Sequence, residues 1–153
     1  MTPGCPRHQE SFCWWRLLHD FFKAYWRGIG ADLRLTLIAI FGAIGTLARY
    51  GLQTVVQVRG GFPYGTLLIN LTGCFLLGLI GQFTLNRMVI SPDLRMAIAV
   101  GFFGGYTTFS SFGWETAKML EEGAWARATA YVSTSVIVGL LLSVAGIRLA
   151  DKI

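Results

Sequence analysis

A double glycine followed by hydroxyl residues interrupts the third of four long apolar stretches in this chain. The segment reads Gly101-Phe-Phe-Gly-Gly-Tyr-Thr-Thr-Phe-Ser-Ser-Phe112. In hydrocarbon every backbone N–H and C=O needs a partner, so this segment makes a poor lipid-facing helix. We expect a break between Gly104 and Thr107, where released carbonyls either coordinate a cation or are paired again by hydroxyls. The pattern predicts that something small and polar crosses the membrane here.

The composition is that of an integral membrane protein. Of 153 residues, 54% are hydrophobic and 14% are charged, whereas soluble domains carry about 25% charged residues. The 19 glycines suit membrane helices that pack closely through small residues. The net charge of +5 is scattered between apolar runs. We therefore predict anionic lipid headgroups, and no nucleic acid, as partners of the basic residues.

Four segments are long and apolar enough to span a bilayer, which needs about 20 residues. The fold class predicted is all-α, with four transmembrane helices and a broken third helix in one domain, residues 34–153. An even number of spans places both termini on one side. The predicted spans are Leu35–Val56, Tyr64–Leu85, Leu94–Ala117 and Ala126–Ala150.

Residues 1–33 form a separate N-terminal extension. Charged residues recur in it at spacings of three and four, as at Arg16, Asp20, Lys23 and Arg27, and aromatic and other apolar residues cover the remaining positions. This pattern is typical of an amphipathic helix that lies in the membrane interface. The alternative is an extension that orders poorly and does little. The stretch is too polar to span, and no small-residue cleavage site follows it.

Basic residues are almost evenly divided between the two sides of the predicted spans. From residue 34 onward, Arg34, Arg87, Arg95, Arg148 and Lys152 make five on one side, and Arg49, Arg59, Lys118 and Arg127 make four on the other. Such a balance gives almost no preferred orientation. A chain of this kind can insert both ways and form antiparallel dimers. The extension adds four basic residues to the first side, which favours a cytoplasmic N-terminus.

Arg49 and Asn70 are polar side chains within or at the edge of the first two spans. Arg49 either snorkels to anchor its helix end or creates an electropositive vestibule for anions. Asn70 either donates to an anion or forms an interhelical hydrogen bond. Thr66 precedes Asn70 by four residues and shares its helix face, which favours a polar track.

The third and fourth spans add aromatic and hydroxyl candidates. Phe109 and Phe112 are three residues apart and share a face. Their electropositive ring edges suit a small anion, and the alternative is contact with lipid. Tyr131 and Ser135 either turn their hydroxyls into the polar track or belong to a small-residue packing stripe.

Together these residues resemble the CrcB/Fluc family of fluoride channels, from about residue 36 to 150. Three motifs carry the resemblance: Gly42-xx-Gly45-xxx-Arg49-Tyr50, Gly65-Thr-Leu-x-x-Asn70-x-x-Gly73 and Gly101-Phe-x-Gly-Gly-x-Thr-Thr-Phe-Ser-x-Phe112, with Glu115 following. The third motif is highly specific.

The resemblance implies a passive, fluoride-selective channel of the bacterial inner membrane that exports fluoride and protects against its toxicity. It implies an antiparallel, dual-topology homodimer with two pores at the interface. The broken third helices cross at the dimer centre, where backbone oxygens of Gly104 and Thr107 hold a structural sodium ion. The implied anion-path residues are Asn70, Phe109, Phe112, Ser110, Ser111, Tyr131 and Ser135, with Thr66 beside Asn70 and Arg49 in the vestibule.

The chain departs from the family pattern at three places. Ser111 stands where a threonine is expected and keeps the hydroxyl, whereas Gly113 stands where a serine is expected and removes one. The extension of residues 1–33 is not part of the pattern, and its charge disfavours equal insertion in both orientations.

Three other functions fit the sequence less well. A small multidrug-type exporter needs a carboxylate early in its first span, and no acid lies between Leu33 and Arg59. A non-transporting assembly subunit explains the glycines but not the hydroxyl cluster beside the double glycine. An enzyme is the weakest interpretation, because no nucleophile–base pair or metal motif is present. The cysteines Cys5, Cys13 and Cys74 form no CxxC pair.

Overall fold

The computed structural model describes residues 31–56, 62–87 and 90–153. All regular structure in these ranges is helical, which confirms the predicted fold class at this level. Three described helices are long and apolar enough to cross a membrane, at Leu33–Val56, Tyr64–Arg87 and Trp125–Ala150. The elements are α1 (Ala31–Val56), α2 (Tyr64–Arg87), α3 (Pro92–Met96), a π-helical segment (Ala97–Phe102), α4 (Phe103–Tyr106), α5 (Phe109–Glu121) and α6 (Trp125–Ala150).

The chain divides after Leu35 into two units. Of the first unit, residues 1–35, the described part is the beginning of α1. The predicted amphipathic extension therefore lies outside the described residues up to residue 30. The helix begins at Ala31, four residues before the predicted start of the first span.

α2 and α6 pack so closely that their backbones touch. A Cβ atom added at Gly78 would lie 2.5 Å from the carbonyl oxygen of Ser143, and one added at Gly146 would collide with the carbonyl oxygen of Phe75. Apolar side chains gain little by leaving lipid for protein, so close packing through small residues is a main source of helix association in membranes. Gly78 and Gly146 are therefore required for the close packing of α2 against α6.

The same kind of contact holds α1 against the interrupted third helix, which comprises α3, the π-helical segment, α4 and α5. A Cβ atom on Gly105 would lie 2.5 Å from the carbonyl oxygen of Gly42 and 3.0 Å from the hydroxyl oxygen of Thr46. On the other side of the third helix, Phe103 and Tyr106 are buried together with Ile69 of α2. The segment before the break is thus fixed between α1 and α2.

Large apolar side chains cover the outward surface. Ile137, Leu140 and Leu141 of α6 are 58%, 65% and 64% exposed. In water such a surface would drive association, but hydrocarbon solvates it without cost. This surface matches the membrane location that the composition predicts.

The third helix changes form twice. The π-helical segment leads into α4, and helical backbone ends at Tyr106. Thr107 (φ −82°, ψ 158°) and Thr108 (φ −148°, ψ 115°) are extended, and α5 begins at Phe109. The break lies at the end of the predicted interval, and Gly104 stays helical. The helix continues this far because the N–H of Thr107 still donates to the carbonyl of Phe103.

We expect Gly78→Ala to lower the stability of the folded protein, because the added methyl group forces apart two backbones. Overpacking of this kind costs about 1–3 kcal/mol. Thermal unfolding in detergent measures the change.

Gly113→Ala is the matched control. A Cβ atom at Gly113 meets nothing within 4 Å, and alanine is favoured over glycine in a helix by roughly 0.5–1 kcal/mol. Equal unfolding temperatures for the two variants would contradict the close contact between α2 and α6.

Candidate functional site

The side chain of Asn70 binds the backbone at the helix break. Its Nδ2 donates to the carbonyl oxygen of Thr108 at 3.1 Å, and its Oδ1 accepts from the N–H of Thr108 at 2.9 Å. The side-chain amide therefore pairs with Thr108 in the way that a backbone peptide group of an adjacent β-strand would. An unpaired backbone group in hydrocarbon costs several kcal/mol, so this pair makes the extended conformation of Thr108 affordable inside a membrane.

The break also removes the helical donors of backbone carbonyls, among them those of Gly104 and Thr107. In an unbroken helix the carbonyl of Gly104 would accept from the N–H of Thr108, but that N–H donates to Asn70. The carbonyl of Thr107 would accept from the N–H of Ser111, but that N–H donates to Thr108 Oγ1 at 3.2 Å. Carbonyls of unwound helices are the groups that coordinate Na⁺ in membrane proteins. The backbone oxygens of Gly104 and Thr107 therefore fit the predicted cation chemistry.

Thr108 is also the N-cap of α5. Its hydroxyl lies 3.2 Å from Ser110 Oγ and donates to Ser111 Oγ at 3.1 Å. The Thr108 hydroxyl also accepts from the N–H of Ser111 and so satisfies one backbone donor in the first turn of α5. The hydroxyls of Ser110 and Ser111 therefore both interact with the hydroxyl of Thr108.

A cavity of about 310 Å³ opens beside the break, between α2, α5 and α6. Five of the predicted functional residues line it: Asn70, Thr107, Phe109, Phe112 and Ser135. The structure thereby brings together residues from three separate predicted spans. Their role in binding fluoride stays a prediction. The full lining consists of Asn70, Gly73, Cys74, Leu77, Thr107, Thr108, Phe109, Phe112, Ser135, Val136 and Ser143.

Two phenylalanine rings form one wall of this cavity. The ring centroids of Phe109 and Phe112 lie 5.7 Å apart with an interplanar angle of 42°. Phe109 is 83% exposed, whereas Phe112 packs against Tyr131 at a centroid distance of 5.1 Å. The two predicted ring edges therefore differ in environment. One ring is held by α6, and the other extends from the subunit.

Ser135 contributes a buried hydroxyl to the cavity region. Its Oγ has under 1 Å² of accessible surface and no hydrogen-bond partner among the described residues. A buried hydroxyl without a partner costs about 1–3 kcal/mol. Ser135 therefore lines the cavity as a residue, although its Oγ is itself enclosed by protein atoms.

Glu115 ties three helices together. Its Oε1 accepts from Thr66 Oγ1 at 2.7 Å, and its Oε2 accepts from the Tyr131 hydroxyl at 2.8 Å. Thr66 and Tyr131 are 1% and 0% exposed. Both were predicted as members of a polar track, and the structure places them on this carboxylate instead of on the cavity wall. That they also take part in anion passage stays a prediction.

Glu115 was not predicted from the sequence to be a site residue, although the sequence contains a feature that singles it out. It is the only acidic residue that lies within any of the four predicted spans. An ionisable residue inside a membrane is costly and has a partner. The two hydroxyls that bind it are the predicted track residues.

Arg49 lies apart from the cavity. It is half-buried near the C-terminal end of α1 and is not among the lining residues. Its predicted vestibule role stays a prediction. Within the described ranges, no three His, Cys, Asp or Glu side chains come together as a metal site.

Comparison with known proteins places these residues in a family. The sequence model of the protein family described as CrcB-like protein, Camphor Resistance (CrcB), matches residues 36–147. The fluoride-specific ion channel FluC of Sorangium cellulosum is 45% identical over 118 residues, which cover 76% of this chain and 93% of the relative. The protein of the same name from Geobacter metallireducens is 47% identical over 120 residues, covering 77% and 97%. That from Citrifermentans bemidjiense is 49% identical over 119 residues, covering 76% and 96%.

We expect Tyr131→Phe to destabilise the fold, because one oxygen of the Glu115 carboxylate loses its donor inside the membrane. A hydrogen bond to a charged group contributes about 1.5–3 kcal/mol. Tyr50→Phe is the matched control, since Tyr50 is 68% exposed. Thermal unfolding in detergent compares the two variants, and an equal loss in both would show that the Tyr131–Glu115 bond contributes nothing.

We expect Asn70→Asp to loosen the helix break. The carboxylate still accepts from the N–H of Thr108 but repels its carbonyl oxygen, which loses its donor. The cost of an unpaired buried group is about 1–3 kcal/mol. Amide hydrogen exchange over residues 104–111 should become faster than in the parent protein.

Gln53→Glu is the control for the change from amide to carboxylate. Gln53 lies on α1 and makes no side-chain hydrogen bond in the described part of the chain. If exchange at the break were as slow in Asn70→Asp as in Gln53→Glu, the reciprocal pair would not be what holds Thr108.

Proposed function

The chain belongs to the CrcB-like family, and on that basis we propose that it is a fluoride-specific ion channel and not an enzyme. Fluoride leaves the cytoplasm through it passively, down its electrochemical gradient, and this export protects the cell from fluoride toxicity. The observation that carries the proposal is the match of residues 36–147 to the family. Relatives named fluoride-specific ion channels, 45–49% identical, support it.

The chemistry of the cavity suits this ion. Fluoride is small and strongly hydrated, so a pore replaces its water with several modest donors and releases it again. Asn70 uses one N–H of its amide on Thr108 and retains a second. Ser135 adds a hydroxyl, and the rings of Phe109 and Phe112 add electropositive edges. None of these groups carries a full charge that would trap the ion.

The proposed architecture has four spans, of which the third is the interrupted helix from Pro92 to Glu121. Its pieces are individually short, but the Asn70 pair and the Thr108 cap satisfy the backbone between them. A break of this kind is tolerated in a membrane where it faces protein or a cavity. The proposed location is the bacterial inner membrane, which the chain crosses several times.

The proposed assembly is an antiparallel homodimer of dual topology. Its support is the unpartnered face around the break, where Phe109 is 83% exposed and a Cβ at Gly104 would meet nothing within 4 Å. The near-equal division of basic residues from Arg34 onward permits insertion in both orientations. A second subunit would complete two pores, each walled in part by phenylalanine rings.

A structural sodium ion at the dimer centre is part of the proposal. Each subunit would contribute the backbone oxygens of Gly104 and Thr107, whose helical donors are engaged elsewhere. A two-fold axis through the break doubles this set of oxygens. The ion would supply positive charge that offsets the converging carbonyls.

The remaining predicted residues have roles along the anion path. Arg49 is the proposed vestibule cation, which raises the local concentration of anions. Ser110 and Ser111 stand at the cap of α5. Thr66 and Tyr131 act through the carboxylate that they bind.

Fluoride efflux from liposomes tests the proposal directly. Purified protein is reconstituted with internal potassium fluoride, a potassium ionophore is added, and no proton gradient is applied. We expect rapid efflux of fluoride and negligible efflux of chloride. A well-folded protein that passes no fluoride, or passes both ions equally, would refute the channel.

In the same assay we expect Phe112→Ile and Phe109→Ile to slow efflux about tenfold or more, because an aliphatic side chain has no electropositive edge. Phe83→Ile is the matched control, since Phe83 of α2 lies under the guanidinium of Arg87 and outside the cavity. Efflux through the two pore variants at the rate of the control would remove the ring-edge mechanism.

A further inference from the structure

Gly73 of α2 lies directly against the first extended residue of the helix break. A Cβ atom added at Gly73 would collide with the Cγ2 methyl group of Thr107 and would lie 3.5 Å from Cδ1 of Tyr106. Only a glycine lets the Thr107 side chain approach the backbone of α2 this closely. Gly73 and Thr107 also both line the cavity, so their contact lies at the candidate site.

The Thr107 side chain is fixed from a second direction. Its hydroxyl donates to the carbonyl of Phe103 at 2.8 Å. Because Oγ1 and Cγ2 branch from the same Cβ atom, this hydrogen bond also determines where the methyl group lies. Rotation about the Cα–Cβ bond would break the bond to Phe103. The methyl group therefore cannot make room for a larger residue at position 73 without a cost.

The direction of the Thr107 carbonyl follows from a contact on the same face of α2. The peptide group between Thr107 and Thr108 is planar, and its N–H and C=O point in opposite directions. The N–H donates to Oδ1 of Asn70 at 2.9 Å, so the carbonyl points away from that side chain. Asn70 and Gly73 are three residues apart and share a helix face. Together they fix one end of the peptide group and the side chain beside it.

We propose that Gly73 is a positioning residue for the Thr107 carbonyl oxygen, and that its lack of a side chain sets the affinity of the break for sodium. The inference rests on the proposed sodium site and, through it, on the proposed channel. Carbonyls of unwound helices coordinate Na⁺ in membrane proteins, and coordination depends on where each oxygen lies. A methyl group at position 73 would push Thr107 away from α2 while Asn70 still holds the next N–H, which displaces the carbonyl between them.

The test measures sodium binding and not transport. Full-length protein is purified in sodium-free choline buffer, and binding of radiolabelled Na⁺ is measured by equilibrium dialysis. We expect Gly73→Ala to raise the apparent dissociation constant about tenfold or more. Gly81→Ala is the matched control on α2, because a Cβ atom there would meet Cδ1 of Leu77 at an ordinary 4.0 Å. This variant should bind Na⁺ as the parent protein does.

A second pair of variants moves the methyl group instead of adding one. Thr107→Ser removes Cγ2 and keeps the hydroxyl that donates to Phe103. Gly73→Ala combined with Thr107→Ser returns a methyl group to the same space from α2. We expect Thr107→Ser to bind Na⁺ about threefold more weakly than the parent protein, and the double variant to recover most of this loss. The comparison does not require Gly73→Ala to fold on its own.

Thermal unfolding in the same sodium-free buffer separates positioning from packing. A lower unfolding temperature of Gly73→Ala with an unchanged dissociation constant would mean that the contact only packs α2 against the break, and would overturn the inference. A parent protein that binds no Na⁺, or a double variant that binds no more tightly than Thr107→Ser, would overturn it as well. Sodium binding in the expected order by a protein that passes no fluoride would support the positioning role while refuting the channel.

Discussion

The reciprocal pair between the Asn70 amide and the Thr108 backbone is the contact on which the rest of the site depends. It supplies, from one side chain, the donor and the acceptor that an extended residue requires in hydrocarbon. With Thr108 held in this way, α5 acquires its N-cap and the Phe109 and Phe112 rings take their positions. The carbonyl of Gly104 loses its helical donor to Asn70 Oδ1, and the carbonyl of Thr107 loses its helical donor to the Thr108 hydroxyl.

Close backbone packing makes the break rigid. Gly105 brings the third helix against α1, and Gly78 brings α2 against α6. On the other side of the break, Glu115 joins α5 to α2 and α6 through Thr66 and Tyr131. The interrupted helix is therefore fixed both before and after its break, although Thr107 and Thr108 between the two parts are not helical.

Much of this was predictable from the sequence, because it is local. Apolar runs and their punctuation predicted helices within a few residues, and the double glycine before Thr107 predicted a break. Long-range partners were not predictable in the same way. Asn70 is 38 residues from Thr108, and Glu115 is 49 from Thr66. Spacing shows which residues share a face, but not which atom on another helix a side chain meets.

The break has an electrical consequence as well as a structural one. Peptide dipoles give a helix a partial positive N-terminus and a partial negative C-terminus. At Thr107–Thr108 the negative end of α4 and the positive end of α5 meet, and the low dielectric of a membrane would strengthen both fields. One interruption thereby creates neighbouring regions of opposite potential without an ionised side chain. The carbonyl end is suited to a cation, and the N–H end, beside the phenylalanine rings, to an anion.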